Sequence, residues 1–586
     1  MTQKTEQEYL KQIHELEKQI ARLQTEIKKN SETQYGLRWM DVPEAFEKES
    51  ENSIPTLVEI KEKAISNDDG KPTHILIEGD NYHALTCLNY THKGKIDVIY
   101  IDPPYNTGEG DFVYKDKRIL DKFPDGTNVP KDHPLRHSYW LSFMHKRLEL
   151  AKNLLSDKGV IFISIDDTEQ ATLKLLCDNV FGEKNFIANI IWQKKFSRAN
   201  DALYFSTMHD FILCYCKKHI SSNPNGWKIG LLPRETVNPK GYSNPDNDPR
   251  GLWTSTILSA KSGSDALLYE IETPSGGKVL PPNGRYWSCS RETFEKWKSE
   301  NRIWFGKNGK AAPRKKTFLS EVQEGLRPNT IIFQEEGGNN QDGKQELKDI
   351  FGGKSMFDSP KPVKLISLLL KIANGKDLKI LDFFAGSGTT MHATIQLNEE
   401  DGGRRQCITV QQNENNICKE VTYERNRRVM QGYTNAKGEQ VAGLGNSMKY
   451  YRTAFVGEND ITHITDADKV ALTQKAGCLL ALGENTLEEI KTAKAYQIFQ
   501  LRKGDKPANG FEFTAVYFSG NLMHFADFRY EIEKLQQEHS LSRIAVYVFT
   551  WGDPSIFENE FDDLSGITIK PIPQPILEIY QNIHQL

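Results

Sequence analysis

Apolar positions in this chain gather in short runs of β-branched and aromatic residues, each closed by Asp, Gly or Pro. Stretches of helical periodicity separate them. The run His74-Ile75-Leu76-Ile77 ends at Gly79-Asp80-Asn81, Ile96 to Ile101 ends at Asp102-Pro103-Pro104-Tyr105, and Val160 to Ile165 ends at Asp166-Asp167. An amphipathic pattern from about Tyr139 to Leu155 predicts a helix between the second and third runs, and another helix follows to about Asn179. Strand, helix, strand, helix at this spacing predicts an α/β fold with a mostly parallel sheet covered by helices. Right-handed crossovers bring successive strand ends to one edge, so Asp80, Asp102 and Asp166 are predicted to share a rim.

The same patterning divides the chain into five segments. In residues 1–35 a seam of Ile13, Leu16, Ile20, Leu23 and Ile27 in three- and four-residue steps predicts either a short dimerising coiled coil or an amphipathic helix packed on its own domain. Residues 36–189 carry the first part of the α/β domain. Near Asn189 regular alternation gives way to loops rich in Gly, Pro, Asn and Trp, interrupted by a strand at Asp210 to Tyr215, so 190–355 reads as an insert. The α/β pattern resumes over 356–445. Residues 446–586 read as a small α/β domain, with strands near Phe511 to Phe518 and Arg543 to Thr550 and helices near Leu487 to Phe499 and Phe528 to Glu538. It holds no catalytic constellation and serves either docking or fold stability.

Composition alters this picture in four places. At 586 residues with 38% hydrophobic content, the chain can bury a large core in several domains. No run of about 18 apolar residues occurs and the N-terminus is polar, so a cytoplasmic protein without a membrane segment is expected. Eight scattered cysteines, of which only Cys214 and Cys216 are close-spaced, predict buried thiols and no metal site. A net charge of -4 does not advertise a polyanion partner, yet residues 190–320 hold 21 Lys and Arg against 11 Asp and Glu. Six of the nine tryptophans (192, 227, 253, 287, 297 and 304) lie in the same insert. They are interleaved with Lys194, Lys195, Arg198, Arg234, Arg250, Arg285, Arg302 and Arg314-Lys315-Lys316. Cations that neutralise phosphates beside planar groups fit nucleic-acid recognition, and the alternative is a solvated basic face over an aromatic mini-core.

Two stretches carry chemistry. Neither proline of Asp102-Pro103-Pro104-Tyr105 has an N–H, so the chain must leave the strand there. The Asp102 carboxylate, the Pro103 carbonyl and the Tyr105 ring then form a receptor for an NH2 group on a flat heterocycle. The second stretch, Leu378 to Thr390, is a strand ending at Asp382, then Phe383-Phe384-Ala385-Gly386-Ser387-Gly388 and a helix start at Thr389. Its two glycines permit a tight turn and a close backbone approach to a ligand, though it is neither G-x-G-x-x-G nor a P-loop. The next strand, Cys407 to Val410, ends at Gln411, where such sites place a side chain for ribose hydroxyls.

Phe384-Ala385-Gly386-Ser387-Gly388 resembles the F-x-G-x-G cofactor motif of DNA amino-methyltransferases, and Asp102-Pro103-Pro104-Tyr105 resembles their D-P-P-Y catalytic motif. The order, with recognition insert between catalytic and cofactor motifs, resembles the β class. Gly79 to Gly108 and Ser359-Pro360-Lys361-Pro362-Val363 to Thr390 are similar to modification subunits of type III restriction-modification systems. The resemblance implies a Rossmann-like methyltransferase fold that uses S-adenosylmethionine, without a metal, to methylate N6 of an adenine flipped out of double-stranded DNA. D-P-P-Y in place of S-P-P-Y marks adenine. It implies a catalytic set of Asp102, Pro103, Pro104 and Tyr105. It further implies that Asp80, Asn81, Asp382, Phe383, Phe384, Ala385, Gly386, Ser387, Gly388, Thr389 and Gln411 hold the cofactor, with Ser359 and Lys361 near its carboxylate end. Gln411 stands where many relatives carry Glu, and Glu414 is the alternative ribose contact. A homodimer and a restriction subunit are the implied partners. A nuclease-free methyltransferase, and a non-catalytic reading platform for a nuclease, are the alternatives.

Overall fold

The computed structural model describes residues 37–41, 53–107, 122, 127–130, 133–200, 202–233, 241–322, 325–459, 461, 463–520, 522–539, 542–550, 557 and 559–584. The helix predicted over 1–35 lies outside them. Ten strands form the main sheet: β1 (Ile54–Glu59), β2 (Thr73–Glu78), β3 (Ile96–Ile101), β4 (Leu155–Ile165), β5 (Phe186–Gln193), β6 (His209–Cys216), β7 (Ile331–Ile332), β8 (Lys379–Asp382), β9 (Gln406–Gln411) and β10 (Ser447–Val456). Their order is β1-β10-β2-β9-β8-β3-β4-β6-β5-β7. The six strands from β10 to β4 run parallel, β6 runs antiparallel to both neighbours, and β1 pairs antiparallel with β10. This is the Rossmann-like methyltransferase fold predicted.

Helices α1 (Asn81–His92), α2 (Ser138–Leu154), α3 (Gln170–Cys177) and α4 (Thr389–Asp401) carry the crossovers. Both faces of the parallel strands are covered, which is why β3 and the end of β4 read as continuous apolar runs and not as alternating ones. Asp80 caps α1 by accepting the Tyr82 N–H at 2.8 Å, so the residue that closes β2 also starts the helix. Cys214 and Cys216 are buried in β6 as free thiols, and burial pushes Cys216 up to about 11.

Downstream of α4 the structure departs from the predicted segmentation. The boundary expected at 446 falls one residue before β10, which joins the main sheet next to β2. A second sheet contains Glu488–Thr492, Tyr496–Gln500, Phe513–Tyr517, Ile544–Phe549 and Ile567–Ile572 in sequential order, beside a helix at Phe525–Glu538. The helix predicted near Leu487 to Phe499 is therefore a hairpin. Its Glu, Lys and Ala favour helix, but burying Tyr496 and Ile498 in a core with Phe528 and Ile532 dictates alternation. Phe499, Val516 and Tyr547 share a core with Leu85 and Leu88 of α1, so this region is integral to the main unit.

Residues 229–329 and 371–374 form a second compact unit, narrower than the insert predicted over 190–355. Its three-stranded antiparallel sheet is Ile303–Trp304, Arg314–Phe318 and Trp253–Ile257. Most of its predicted recognition cations are engaged internally. Lys316, fully buried, is held by Asp246 and lies 3.3 Å from Asp248. Arg250 grips Asp248 at 2.8 and 2.9 Å, and Arg302 binds Glu321 at 2.5 and 2.7 Å. Trp253 and Trp287 are buried here, as are Trp192 and Trp227 in the main unit. Much of the basic, Trp-rich signal therefore describes how this region folds. Arg234 lies outside the described residues.

Lys316→Met should destabilise the second unit by about 3 kcal/mol, because it leaves the Asp246 carboxylate without its cation and removes one of the two cations on buried Asp248. A urea-melt midpoint unchanged from wild type would show that the buried ion cluster is not stabilising it.

Candidate active site

The parallel register of β8 on β3 sets Ile380 beside Val98 and Leu381 beside Ile99. The chain leaves these neighbouring strands at Asp382 and at Asp102. Both turns open into one cavity of about 400 Å³, which Asp80 and Asp166 also line. The three carboxylates predicted to share a rim therefore meet. Ser359, Lys361 and the predicted residues from Asp382 to Thr389, apart from Gly388, line the same cavity with Asn81 and Gln411.

The Asp102-Pro103-Pro104-Tyr105 turn is held from three sides. The Trp140 indole donates to the Pro104 carbonyl at 2.8 Å, and no donor among the described residues engages the Pro103 carbonyl. Tyr105 donates its hydroxyl to Asp102 Oδ1 at 2.8 Å. Burial and the adjacent Asp102 carboxylate keep that hydroxyl well above its ordinary pKa, so it remains a neutral donor. Asn106, in a left-handed conformation at φ 63°, donates its amide to the fully buried Glu169 at 2.7 Å. His137 Nδ1 lies 2.6 Å from the same Glu169 oxygen, and Thr172 donates to the other at 2.5 Å. Glu169 thus anchors the residue immediately after the turn.

The Gly-rich turn is bolted from behind. Asp382 accepts the Phe384 N–H at 3.0 Å and the Thr390 hydroxyl at 2.5 Å, and burial pushes its carboxyl up to about 7. Fully buried Arg425 donates to Thr389 Oγ1 at 2.7 Å and Ser387 Oγ at 3.1 Å. Gly388 has φ 78°, and a Cβ there would stand 2.5 Å from Asn426 Nδ2 and 3.1 Å from the Thr422 carbonyl, so only glycine fits. Phe357 packs against Gly386 and lines the cavity, offering an aromatic wall.

Three predicted residues have other engagements. Gln411 gives its amide oxygen to the Gly386 N–H at 2.7 Å and so braces the turn; Glu414 supplies a carboxylate to the cavity beside it. Asn81 donates to the Phe383 carbonyl at 2.9 Å and accepts from Arg147, tying the start of α1 to the turn. Lys361, expected near a cofactor carboxylate, places its ammonium 2.6 and 2.7 Å from the two Asp102 oxygens and 3.1 Å from the Tyr105 hydroxyl. Sequence reasoning passed over Arg147, Glu169 and Arg425, all buried polar anchors. Arg147 was detectable as a lone charge within the apolar stripe of α2.

The family model described as DNA methylase matches residues 96–421. The chain is 35% identical over 391 residues to the type III restriction-modification enzyme StyLTI Mod subunit of Salmonella typhimurium, an alignment covering 64% of this chain and 58% of that subunit. To the type II methyltransferase M.KpnI of Klebsiella pneumoniae it is 30% identical, covering 67% of this chain and 93% of that enzyme. Among solved structures, the cytosine-N4-specific PvuII DNA methyltransferase matches at 11% identity and a TM-score of 0.30, over 64% of this chain and 97% of its own.

The Glu169 anchor has a pH signature. Its hydrogen bond raises the pKa of His137, so the pair stabilises the fold fully below about pH 6.5, the unfolded value, and the contribution is lost as pH rises through the raised folded value. Melts of wild type and Glu169→Gln from pH 5.5 to 8.5 should differ most at the acid end. A difference that stays constant with pH would remove His137 from the account.

Proposed function

Because the chain belongs to the DNA methylase family, we propose that it is a site-specific DNA methyltransferase, moving a methyl group from S-adenosylmethionine to N6 of an adenine flipped out of duplex DNA. The observation that carries this reading is the shared cavity, in which the Asp102-Pro103-Pro104-Tyr105 grip and the Asp382 turn open side by side from adjacent strands. The residues suit the cofactor: Phe357 and Phe384 offer aromatic faces for a purine, and the carboxylates Asp382 and Glu414 suit ribose hydroxyls and a cationic amino-acid end. When bound, S-adenosylmethionine supplies an electrophilic methyl on a sulfonium, whose carbon–sulfur bond breaks as the adenine nitrogen attacks. The protein's task is alignment. Asp102 and the Pro103 carbonyl would accept the two amine hydrogens and turn the nitrogen lone pair toward the methyl. Tyr105 would stack on the base, and Asp102 would offset the positive charge that grows on the nitrogen until its proton leaves.

Other features support DNA as the substrate. Lys195 lines the cavity and Arg198 is exposed just beyond it, both at the end of β5. The same loop carries Leu203, Tyr204 and Phe205, each more than 90% exposed, as apolar side chains available to an opened base stack. We extend the reading to a cytoplasmic modification subunit that acts as a homodimer and serves a restriction subunit, on the strength of the Mod relatives. No helix among the described residues is long and apolar enough to cross a membrane.

Wild type should transfer labelled methyl to DNA, and mapping methylated adenines in DNA from expressing cells should return one sequence. Asp102→Ala should abolish transfer while DNA binding persists. A wild type inert on a broad DNA panel, yet still binding DNA, would make the chain a reading platform. Asp382 adds a pH dependence: if its ionised form holds the cationic end of the cofactor, the cofactor KM should rise as pH falls through about 7. Asp382→Asn should flatten that profile; a profile unchanged in the variant would take Asp382 out of the contact.

A further inference from the structure

The ion pair between Lys361 and Asp102 is unexpected in a site whose carboxylate is needed by a substrate. Lys361 is 8% exposed, and its ammonium reaches both Asp102 oxygens and the Tyr105 hydroxyl while standing 5.2 Å from the centre of the Tyr105 ring. It therefore stands at the hydroxyl edge of the ring and against the carboxylate, where the amine of a stacked base is to be held. A carboxylate offers roughly four lone-pair sites. Tyr105 uses one on Oδ1 and Lys361 one on each oxygen, which leaves a single site for an incoming amine.

The rest of Lys361 is fixed. Its backbone carbonyl accepts the Thr389 hydroxyl at 3.1 Å, and the preceding Pro360 carbonyl would lie 2.2 Å from any Cβ at Gly343, so the main chain is pinned between the cofactor turn and a neighbouring helix. Only the flexible four-carbon stem is free to move.

We propose that Lys361 is a positioning residue that keeps the empty amine grip occupied, its ammonium standing in for the target amine on Asp102 until a base displaces it. Without a cation, the half-buried carboxylate would face the cavity uncompensated. With one, an entering base must either take the last acceptor site beside a charged ammonium or displace two charge-assisted hydrogen bonds, so weakly held bases are rejected at the grip. The inference rests on the methyltransferase reading above and names what sets how readily the base is captured.

The test uses the full chain and a duplex carrying the mapped site, with 2-aminopurine next to the target adenine, so that the target keeps its N6 amine and the fluorescence reports its extrusion. Lys361→Met should raise the fluorescence of the bound complex and lower KM for DNA about tenfold. The kcat should change less than threefold and KM for S-adenosylmethionine should hold. Lys361→Arg, which keeps a cation, should behave as wild type, and Lys361→Gln supplies the uncharged comparison if the methionine variant folds poorly. A raised cofactor KM with unchanged base capture would assign Lys361 to the cofactor and overturn the proposal. Weaker base capture in the uncharged variants would overturn it too, making Lys361 a support for the bound base. A wild type that transfers no methyl to any DNA would instead remove the reading on which the proposal stands.

Discussion

Two strands separated by some 280 residues of chain lie side by side, and the site depends on that pairing. Because β3 and β8 run parallel in register, each must be left at the same edge of the sheet, and each is left by a turn that cannot continue the ladder. One turn is forced by two prolines, the other by glycines in left-handed conformations. Asp102 and Asp382 end these strands closely enough that the charge of the first helps to raise the pKa of the second. A one-residue slip of β8 would send Asp382 to the opposite face and separate the two halves of the chemistry.

Around that pairing the protein uses buried polar side chains as fasteners. Arg147, Glu169 and Arg425 each tie one turn to a helix behind it, and each is paired or multiply hydrogen-bonded. Such groups are costly to bury alone and rigid once satisfied. The result is a cavity whose walls are set before any ligand arrives, with the Lys361 stem as its adjustable part. The second unit spends its charge differently, on interior clusters such as Lys316 with Asp246 and Asp248.

The sheet, its crossovers and the two turns were legible because each is written locally: a β-branched run, a breaker, then a helical period. The rim of Asp80, Asp102 and Asp166 followed from handedness alone. What escaped was decided by partners distant in sequence. Gln411 finds Gly386 and Lys361 finds Asp102 only after the sheet has formed. The hairpin at 488–500 overrode helix-favouring residues because of the surface it covers. The tryptophans and arginines of the insert carried a compositional signal that packing reassigned to the interior, since composition does not distinguish a cation facing solvent from one facing Asp248.

The bracing of the Gly-rich turn bears on which molecules it can refuse. In dinucleotide-binding folds such a turn presents free backbone N–H groups and a helix start to phosphate oxygens. Here the Phe384 N–H goes to Asp382, that of Ala385 to the Val410 carbonyl, that of Gly386 to Gln411 and that of Gly388 to the Ala385 carbonyl. With those donors consumed, the turn offers an anion little. A phosphate-bearing dinucleotide would find few free donors at this turn, whereas a purine nucleoside that carries positive charge in place of phosphate needs none of them.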